Sequence, residues 1–335
     1  MADVPVPAEF ARALRELGLS DASNLIGTPL TGGVSSDIWC INTENGLVCA
    51  KRALAKLRVA ADWQAPVERN RYEARWLQVA HAARPGCAPQ LLGQHEKLGV
   101  LVMQYLEPAD YRLWKQELHG GRAEKNTAKA VGEVLGRIHS YAAGQADLAA
   151  EFPTQKIFFE IRLAPYLVAT AARYPKLAPA LHALVEQTQS HAKTLVHGDV
   201  SPKNILLGSQ GPVLLDAECA TWSDPAFDLA FCLNHFLLKC LWTPGARADF
   251  LYCFEVFAAS YLACVDWESP QAVQARAARL LPGLFLARVD GKSPVEYITD
   301  DTQRDQVRRV ASAFLLEPTT QLEDIAQAWA KEICT

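Results

Sequence analysis

The sequence of 335 residues lacks the features that define several large classes of protein. It has no window of about eighteen uncharged apolar residues, and its first residues show no basic stretch followed by an apolar core. We therefore expect neither a membrane span nor a secretion signal. A basic excess is also missing, since the formal net charge is −4, which disfavours nucleic acid as a partner. We find no internal repeat and no low-complexity tract.

Cysteine pairs with the spacing of metal ligands are absent as well. The nine cysteines are scattered, their number is odd, and none forms a Cys-x-x-Cys pair. Cys49, Cys232, Cys240 and Cys253 lie inside apolar segments. We therefore predict buried free thiols and a cytoplasmic location rather than disulfides or a zinc site.

What is present fits a globular enzyme with two lobes. Half of the residues are hydrophobic and 21% are charged, and a chain of this length has room for one large core or two smaller ones. The first third reads mostly as strands. Residues 38–42 and 47–51 flank Asn45-Gly46, a strong hairpin signal, and residues 98–106 read as a buried strand. Helices are predicted over residues 8–18 and from Pro66 through Val79.

Beyond residue 107 the apolar pattern becomes helical. Val131, Val134, Leu135 and Ile138 share one helix face, and residues 226–241 and 247–264 predict two further helices. The change of pattern predicts a small β-rich N-terminal lobe over residues 1–106, a hinge near residues 104–109, and a larger helical C-terminal lobe over residues 107–335.

The segment His-Gly-Asp-Val-Ser-Pro-Lys-Asn, residues 197–204, carries the clearest chemistry. Asp199 is followed five residues later by Asn204, and Asp216 ends an apolar run twelve residues beyond Asn204. Apolar residues on both sides place the polar ones on a loop between two short strands. Phosphoryl transfer from a magnesium nucleotide needs one carboxylate near the acceptor hydroxyl, and an amide oxygen and a second carboxylate on the metal. An ordinary turn, in which Asp and Asn bond their own backbone, is the competing interpretation.

These residues, together with Asp-Ala-Glu at 216–218 and Asp-Pro-Ala-Phe-Asp-Leu-Ala at 224–230, resemble the signature of the aminoglycoside phosphotransferase and choline kinase-like family. The resemblance implies an α+β, bilobal protein kinase-like fold, with ATP and Mg²⁺ as cofactors. It implies that Asp199 is the catalytic base and that Asn204 and Asp216 are magnesium ligands. Ser223 departs from the usual glycine, which affects the local turn.

Other residues in this region receive lesser roles. The resemblance implies that Asp228 and His197 are structural, and Asp224 is expected to cap the following helix. Glu218 is a candidate contact to the acceptor or to a second metal. Lys203 could pair with a phosphate or remain a solvated cation.

The nucleotide site is predicted upstream. Leu-Val-Cys-Ala-Lys at 47–51 resembles the kinase strand whose lysine pairs with the α- and β-phosphates, so Lys51 is the candidate. Its carboxylate partner is predicted to be Glu73, with Glu68 as the competitor. A solvated lysine at a strand end is the alternative interpretation.

A loop and a hinge complete that prediction. Residues 31–36, Thr-Gly-Gly-Val-Ser-Ser, are expected to cover the phosphates with Gly33, Ser35 and Ser36, although they do not form Gly-x-Gly-x-x-Gly. Residues 103–106 occupy the expected hinge, where the backbones of Gln104 and Leu106 would read the adenine edge.

The acceptor is left open. Asp199, Glu218 and Asp224 are expected to favour a cationic or polyhydroxylated small molecule, on which Trp114 or Trp222 could stack. Aminoglycoside, amino alcohol, methylthioribose-like sugar and homoserine-like acceptors all stay open. Asp-Gly-Lys-Ser at 290–293 resembles the end of a phosphate-binding loop but lacks its earlier glycine, since residue 286 is leucine. A surface turn is the better interpretation there.

The overall prediction is a small-molecule kinase, monomeric or homodimeric, with no nucleic acid or membrane partner. A nucleotide-binding pseudokinase acting as an interaction module is the first alternative. A protein kinase is disfavoured, because Asp-Ala-Glu stands where Asp-Phe-Gly would be.

Overall fold

The N-terminal part of the chain is built on one antiparallel sheet. The structure is a computed structural model and describes residues 3–30, 36–54 and 66–334. Six strands are arranged in the order β1-β2-β3-β4-β6-β5, and each neighbouring pair is antiparallel. They are β1 Val4–Pro5, β2 Ile26–Pro29, β3 Ser36–Thr43, β4 Gly46–Ala53, β5 Leu91–His95 and β6 Val100–Gln104.

Each face of this sheet is covered by a helix. Helix α1, Ala8–Glu16, packs Phe10 and Leu14 against strand residues that include Val100 and Val102. Helix α2, Arg69–Ala83, lies on the other face and shares the large core with Leu101 and Met103. Because side chains alternate along a strand, successive residues of β6 serve the two helices in turn.

The predicted hairpin is present and two predicted boundaries are shifted. Thr43 pairs with Gly46, so Glu44 and Asn45 form the two-residue loop. The strand predicted from residue 98 begins at Val100, because the residues before it form a 3₁₀ turn that ends at Gly99 with φ +62°. Helix α2 begins at Arg69 rather than near Pro66, after a turn at residues 67–68.

The remainder of the chain is mainly helical. Its elements are β7 Arg112–Leu113, α3 Trp114–His119, α4 Lys125–Ala143, α5 Leu148–Glu151, α6 Gln155–Phe158, a π-helix Phe159–Val168, α7 Ala169–Arg173, α8 Ala178–Ser190, β8 Thr194–Val196, β9 Ile205–Gly208, β10 Gly211–Leu214, β11 Thr221–Ser223, α9 Ala226–Trp242, α10 Arg247–Leu262, α11 Pro270–Asp290, α12 Asp301–Leu316 and α13 Leu322–Cys334. Every residue of α9 from Ala226 to Leu241 is buried. Most residues on every side of this helix are apolar, as expected of a helix at the centre of a core, and its polar residues are buried with them.

Two small strand pairs hold the loop that carries the predicted chemistry. Strand β9 pairs with β10 and with β7, and β8 pairs with β11. Residues 197–204 therefore lie between β8 and β9 on a base of paired backbone. The chain has the α+β architecture that was predicted, a small β-rich part followed by a larger helical part. The division at residues 106 and 107 stays a prediction, and it falls in the segment between β6 and β7.

No helix in the described ranges is both long enough and apolar enough to span a membrane. All nine cysteines have free thiols in the structure.

Candidate active site

Asp199 lies buried in the loop after β8, between two cations. Its Oδ2 is 2.9 Å from Arg162 Nη2 and 3.2 Å from Lys203 Nζ. Burial alone would raise the pKa of this carboxyl, but Arg162 and Lys203 outweigh that effect and hold the pKa below its usual value. Asp199 is therefore ionised at neutral pH and is able to accept a proton.

Arg162 was not found by the sequence analysis. Its Nε donates to the Gly198 carbonyl at 2.6 Å and its Nη1 donates to Ile161 at 2.8 Å, so the guanidinium fixes both the backbone and the carboxylate of the loop. It sits in the π-helix, in which Pro165 has no N–H to donate and so interrupts the regular helical pattern. Such π-segments occur frequently at functional sites. No motif marks Arg162, because its partner lies thirty-seven residues away in the sequence.

Asp228, near the start of α9, anchors the loop backbone. Its two oxygens accept from the N–H groups of His197 at 2.6 Å and Gly198 at 2.8 Å, and His139 Nε2 lies 3.2 Å from the same carboxylate. Asp228 is fully buried. These contacts agree with the structural role that was predicted for it.

The His197 ring also acts as part of the scaffold. Its Nδ1 accepts from the Asp199 N–H at 3.1 Å, so the proton is on Nε2, which donates to the Leu215 carbonyl at 3.0 Å. The ring packs edge-on against Trp76, with 4.8 Å between centroids. Burial lowers the pKa of His197, so the ring is neutral. It connects the loop to the residue before Asp216, as expected of a positioning residue.

Two residues of the site have left-handed backbone. Gly198 has φ +77°, and a Cβ there would lie 2.8 Å from the carbonyl of Cys219, so no other residue fits. Asp216 has φ +65°, a conformation that costs a non-glycine residue of order 1–3 kcal/mol. Strain of this kind is concentrated at functional sites.

Asn204 and Asp216, the predicted metal ligands, lie close to Asp199 and Lys51 respectively. Asn204 Nδ2 donates to the Asp199 carbonyl at 3.1 Å, which leaves the amide oxygen as the free acceptor end. The Asp216 carboxylate contacts Lys51 Nζ and is 29% exposed. Burial would raise the pKa of Asp216, but Lys51 and Lys203 reverse this and lower it, so the carboxylate is ionised. The two oxygen donors are suited to a hard cation such as Mg²⁺.

Lys51 joins the sheet to this loop. It lies two residues after Cys49 on β4, on the sheet face that is covered by α2. Its Nζ is 2.9 Å from Glu73 Oε1 and also contacts Asp216. Burial by itself would lower the pKa of Lys51, but the carboxylates raise it above its ordinary value. Glu68 is exposed at the start of α2, so Glu73 is the residue that pairs with Lys51.

A second ion pair ties α2 to the segment after Asp216. Arg69 Nε donates to Glu218 Oε2 at 3.0 Å, and its other nitrogens donate to the carbonyls of Pro66 and Leu54. The sequence analysis did not single out Arg69. Because Glu218 is engaged by a buried arginine, its carboxylate is not open in this arrangement, and its predicted contact to acceptor or metal stays a prediction.

Of the predicted phosphate loop, residues 31–36, only Ser36 belongs to the described residues. Gly33 and Ser35 are outside the described residues. Ser36 is the first residue of β3 and is buried, and its hydroxyl has no hydrogen-bond partner among the described residues. A contact from this hydroxyl to a ligand stays a prediction.

The predicted hinge follows β6. The Gln104 N–H donates to the Gln90 carbonyl at 2.8 Å, so this group is already used by the protein. Leu106 is half-buried in the irregular segment beyond Gln104. A contact to adenine would therefore have to come from other backbone groups of residues 104–106.

Three further residues that were considered for the site pack against, or pair with, other parts of the protein. Trp114 is buried and its ring packs edge-on against Phe236, with 5.5 Å between centroids, so it belongs to the core. Trp222 lies on β11, paired with β8. Asp290 at the end of α11 is buried and accepts two bonds of 2.8 Å from Arg308. It thereby ties α11 to α12, so the expectation of a surface turn is wrong for Asp290.

The structure brings Lys51, Glu73 and Asp216 into contact and places Asn204 beside Asp199. Residues 26–251 match the model of the phosphotransferase enzyme family, APH, and the chain belongs to this family. This match confirms the resemblance to the aminoglycoside phosphotransferase and choline kinase-like family.

Curated relatives are methylthioribose kinases. The protein of Cronobacter sakazakii is 26% identical over 261 residues, covering 68% of this chain and 64% of that protein. The protein of Pectobacterium carotovorum is 24% identical over 326 residues, covering 84% and 79%. The chain spans about 64% of the length of the first of these relatives.

Solved structures share the fold. Amicoumacin kinase hAmiN, in complex with AMP-PNP, Ca²⁺ and Ami, superposes with a TM-score of 0.56 at 12% identity, covering 90% of this chain and 91% of that chain. LicA in complex with AMP gives a TM-score of 0.50 at 16% identity, covering 93% and 99%. At these identities the likeness concerns the fold alone, and it confirms the kinase-like architecture.

Proposed function

We propose that this protein transfers the γ-phosphoryl group of ATP, with Mg²⁺, to a hydroxyl group of a small molecule. The observation that carries the proposal is Asp199, a buried carboxylate held ionised by Arg162 and Lys203 beside Asn204. The ion pair between Lys51 and Glu73 and its contact with Asp216 support the nucleotide side of the proposal.

Asp199 is the proposed catalytic base. An ionised carboxylate within hydrogen-bond reach of the acceptor hydroxyl takes up its proton as the oxygen attacks phosphorus. The loop is held by Asp228 and Arg162, so the carboxylate does not have to be ordered when the acceptor binds. Lys203, with a side chain that is 51% exposed and 3.2 Å from Asp199, is the proposed contact to the transferred phosphoryl group.

Asn204 and Asp216 are the proposed magnesium ligands. The oxygen of the oriented Asn204 amide and the partly exposed Asp216 carboxylate form a hard, oxygen-only donor set, which fits the ion. Within the described ranges, no group of three or more His, Cys, Asp and Glu side chains is arranged to hold a metal. The ion would therefore complete its coordination with water and nucleotide phosphates, as Mg²⁺ commonly does. When bound, it would neutralise charge on the phosphates.

Lys51 is the proposed cation over the polyphosphate, with Glu73 to orient it. The residues around Gly33, Ser35 and Ser36, together with residues 104–106, are proposed to complete the nucleotide site. The proposed division is an N-terminal nucleotide-binding lobe over residues 1–106 and a C-terminal catalytic and acceptor-binding lobe over residues 107–335. A cytoplasmic protein, monomeric or homodimeric, is part of the same proposal.

An ADP-release assay over a panel of hydroxyl acceptors tests this function. The panel contains amino alcohols, aminoglycosides, pentoses and hydroxy acids, each with ATP and Mg²⁺ and with chelator as control. Asp199→Asn keeps the shape of the side chain, so we expect unchanged ATP affinity by calorimetry and a loss of turnover of about 100-fold or more. Full turnover in this variant would refute Asp199 as the base.

A further inference from the structure

A cluster of cationic and polar side chains lies in the helical part of the chain. This cationic cluster consists of Lys115 on α3, His235 and Lys239 on α9, Arg288 on α11, and Tyr297 after α11. It is joined to the catalytic loop through the π-helix. Arg162 binds Asp199, and one turn later the Tyr166 hydroxyl accepts from Arg288 Nη1 at 3.1 Å.

Lys239 is the most unusual member of the cluster. Its side chain is 1% exposed, and its ammonium lies over the rings of Trp242 at 4.3 Å and Tyr297 at 4.9 Å. In the part of the chain that the structure describes, it has neither an ion pair nor a hydrogen bond. Burial lowers the pKa of Lys239 to about 7, and Lys115 acts in the same direction. A buried cation without a counter-ion is costly to keep.

Arg288 is also without a carboxylate partner among the described residues. It donates to neutral groups, the Tyr166 hydroxyl and the Ser293 carbonyl, and its Nε is buried without a partner. Glu296, the acid of this region, is paired with Lys115. The cluster therefore carries more positive than negative charge.

Two neutral members have unused polar atoms. His235 Nε2 and the Tyr297 hydroxyl are buried, and neither has a hydrogen-bond partner among the described residues. Burial, with Arg288 and Lys239 nearby, lowers the pKa of His235 well below its usual range, so the ring is neutral. An anion-binding site without its ligand contains cations that lack a counter-ion and hydrogen-bond donors that lack an acceptor.

In contrast to these cations, two acidic residues near the loop are each paired with an arginine. Glu218 accepts from Arg69, and Asp224 accepts from Arg276 Nε at 2.9 Å and from the Ala226 N–H. Because both carboxylates already have an arginine partner, the expectation that they favour a cationic acceptor stays a prediction.

We propose that the cationic cluster binds an oxyanion of the acceptor, so that the substrate is a hydroxylated compound that also carries a carboxylate or a phosphate group. This inference rests on the proposed function for the transfer step. Arg288 and Lys239 supply the charge, and His235 and Tyr297 are available for hydrogen bonds. The π-helix that carries both Tyr166, bonded to Arg288, and Arg162, bonded to Asp199, connects this cluster to the proposed base, which would accept the proton of the hydroxyl of the same molecule.

The binding half is tested with malonate and inorganic phosphate as carboxylate and phosphate probes, and with glycerol as the neutral control. The full-length protein is first saturated with a non-hydrolysable ATP analogue and Mg²⁺, so that the nucleotide site is filled. Lys239→Met removes the charge and keeps the length of the side chain, and we expect this variant to fold because an apolar group suits a buried position. Lys176→Met, at an exposed lysine, is the matched control.

We expect at least one anion to raise the melting temperature saturably in the wild type and in Lys176→Met, beyond chloride at equal ionic strength. In Lys239→Met the same anion should bind at least tenfold more weakly. Equal binding by Lys239→Met and wild type, or no anion-specific effect in the wild type, would overturn the proposal.

The substrate half uses the matched series ribose, ribonate and ribose 5-phosphate, with ethanolamine as the cationic arm, in the ADP-release assay. We expect the ribonate or the phosphate ester to exceed ribose at least tenfold in kcat/KM, and Lys239→Met to remove that advantage. If ribose or ethanolamine is preferred and Asp199→Asn abolishes its turnover, this inference fails while the proposed function stands. If no acceptor supports transfer, the proposed function fails, and the anion-binding measurement still decides the role of the cluster.

Discussion

Replacing Arg162 by Gln tests the construction of the site most directly, because this residue holds the proposed base from an element that no motif marks. The Arg162 side chain is 10% exposed and donates one bond of 2.9 Å to Asp199 and one of 2.6 Å to the Gly198 carbonyl. A hydrogen bond that involves a charged group contributes about 1.5–3 kcal/mol. Losing both should lower the free energy of unfolding by about 3–5 kcal/mol, which is also the usual cost of removing one partner from a buried ion pair. At an unfolding entropy of about 2.1 cal/mol/K per residue, the melting temperature of a protein of this size should fall by about 4–7 °C.

The same substitution should change the pH dependence of turnover. The folded pKa of Asp199 is depressed, with Arg162 the largest cause opposing burial, so its removal raises that pKa. Because the base acts when ionised, the acid limb of turnover against pH should move to higher pH. A depressed carboxyl pKa stabilises the fold above the unfolded pKa of about 4, and that contribution is lost as the pH falls through the folded value. The stability difference between wild type and variant should therefore be full at pH 7 and shrink below about pH 4.

The measurements are thermal unfolding between pH 3 and pH 8 and ADP release against pH. Lys203→Met is the matched comparison, because Lys203 is 3.2 Å from the same carboxylate oxygen but is half-exposed. It should change the free energy of unfolding by less than about 1 kcal/mol. Arg162→Lys should recover part of the pH profile. A melting temperature of Arg162→Gln within about 2 °C of wild type, together with an unmoved acid limb, would refute the reasoning.

Three further substitutions test other parts of the structure. Glu73→Gln leaves Lys51 without its charged partner on α2, so we expect about tenfold weaker ATP binding by calorimetry and a lowered melting temperature, because a buried ion pair loses one partner. An unchanged ATP affinity would contradict that pairing role. Asp228→Asn replaces an acceptor of two backbone N–H groups by a single carbonyl oxygen, which should cost about 1–3 kcal/mol and speed hydrogen exchange at residues 197–198. Unaltered exchange there would show that the carboxylate does not anchor the loop. Gly132→Ala would place a Cβ 2.6 Å from the Phe257 carbonyl, so α4 and α10 must separate at a cost of about 1–3 kcal/mol in chemical denaturation. ATP affinity should stay as in wild type, and a fully stable variant would show that these helices are less tightly packed.

Local pattern accounts for much of the fold. The hairpin at Asn45-Gly46 and helices α9 and α10 follow from turn chemistry and apolar spacing, which act over a few residues. Boundaries were less predictable because they depend on neighbours. The left-handed conformation of Gly99, for example, delays the start of β6 to Val100.

The family and the proposed catalytic loop were predictable from the sequence alone, because Asp199, Asn204 and Asp216 lie within eighteen residues and their spacing can be read directly. The sequence also indicated Lys51 and Glu73, since the order of strand, helix and loop follows the chain.

The pairing of charged side chains in the site, by contrast, depends on the tertiary structure. The composition gives the number of charges but not which of them are close together. The interaction energy of a charged side chain depends on the groups within a few ångströms of it. Arg69 neutralises Glu218 across 149 residues of sequence, and Arg162 reaches Asp199 from a π-helix. Lys239 and Arg288, which are unremarkable in the sequence, have no counter-ion among the residues that the structure describes. The three-dimensional pairing of these side chains therefore turns a chain of net charge −4 into one with a cationic cluster beside its proposed base.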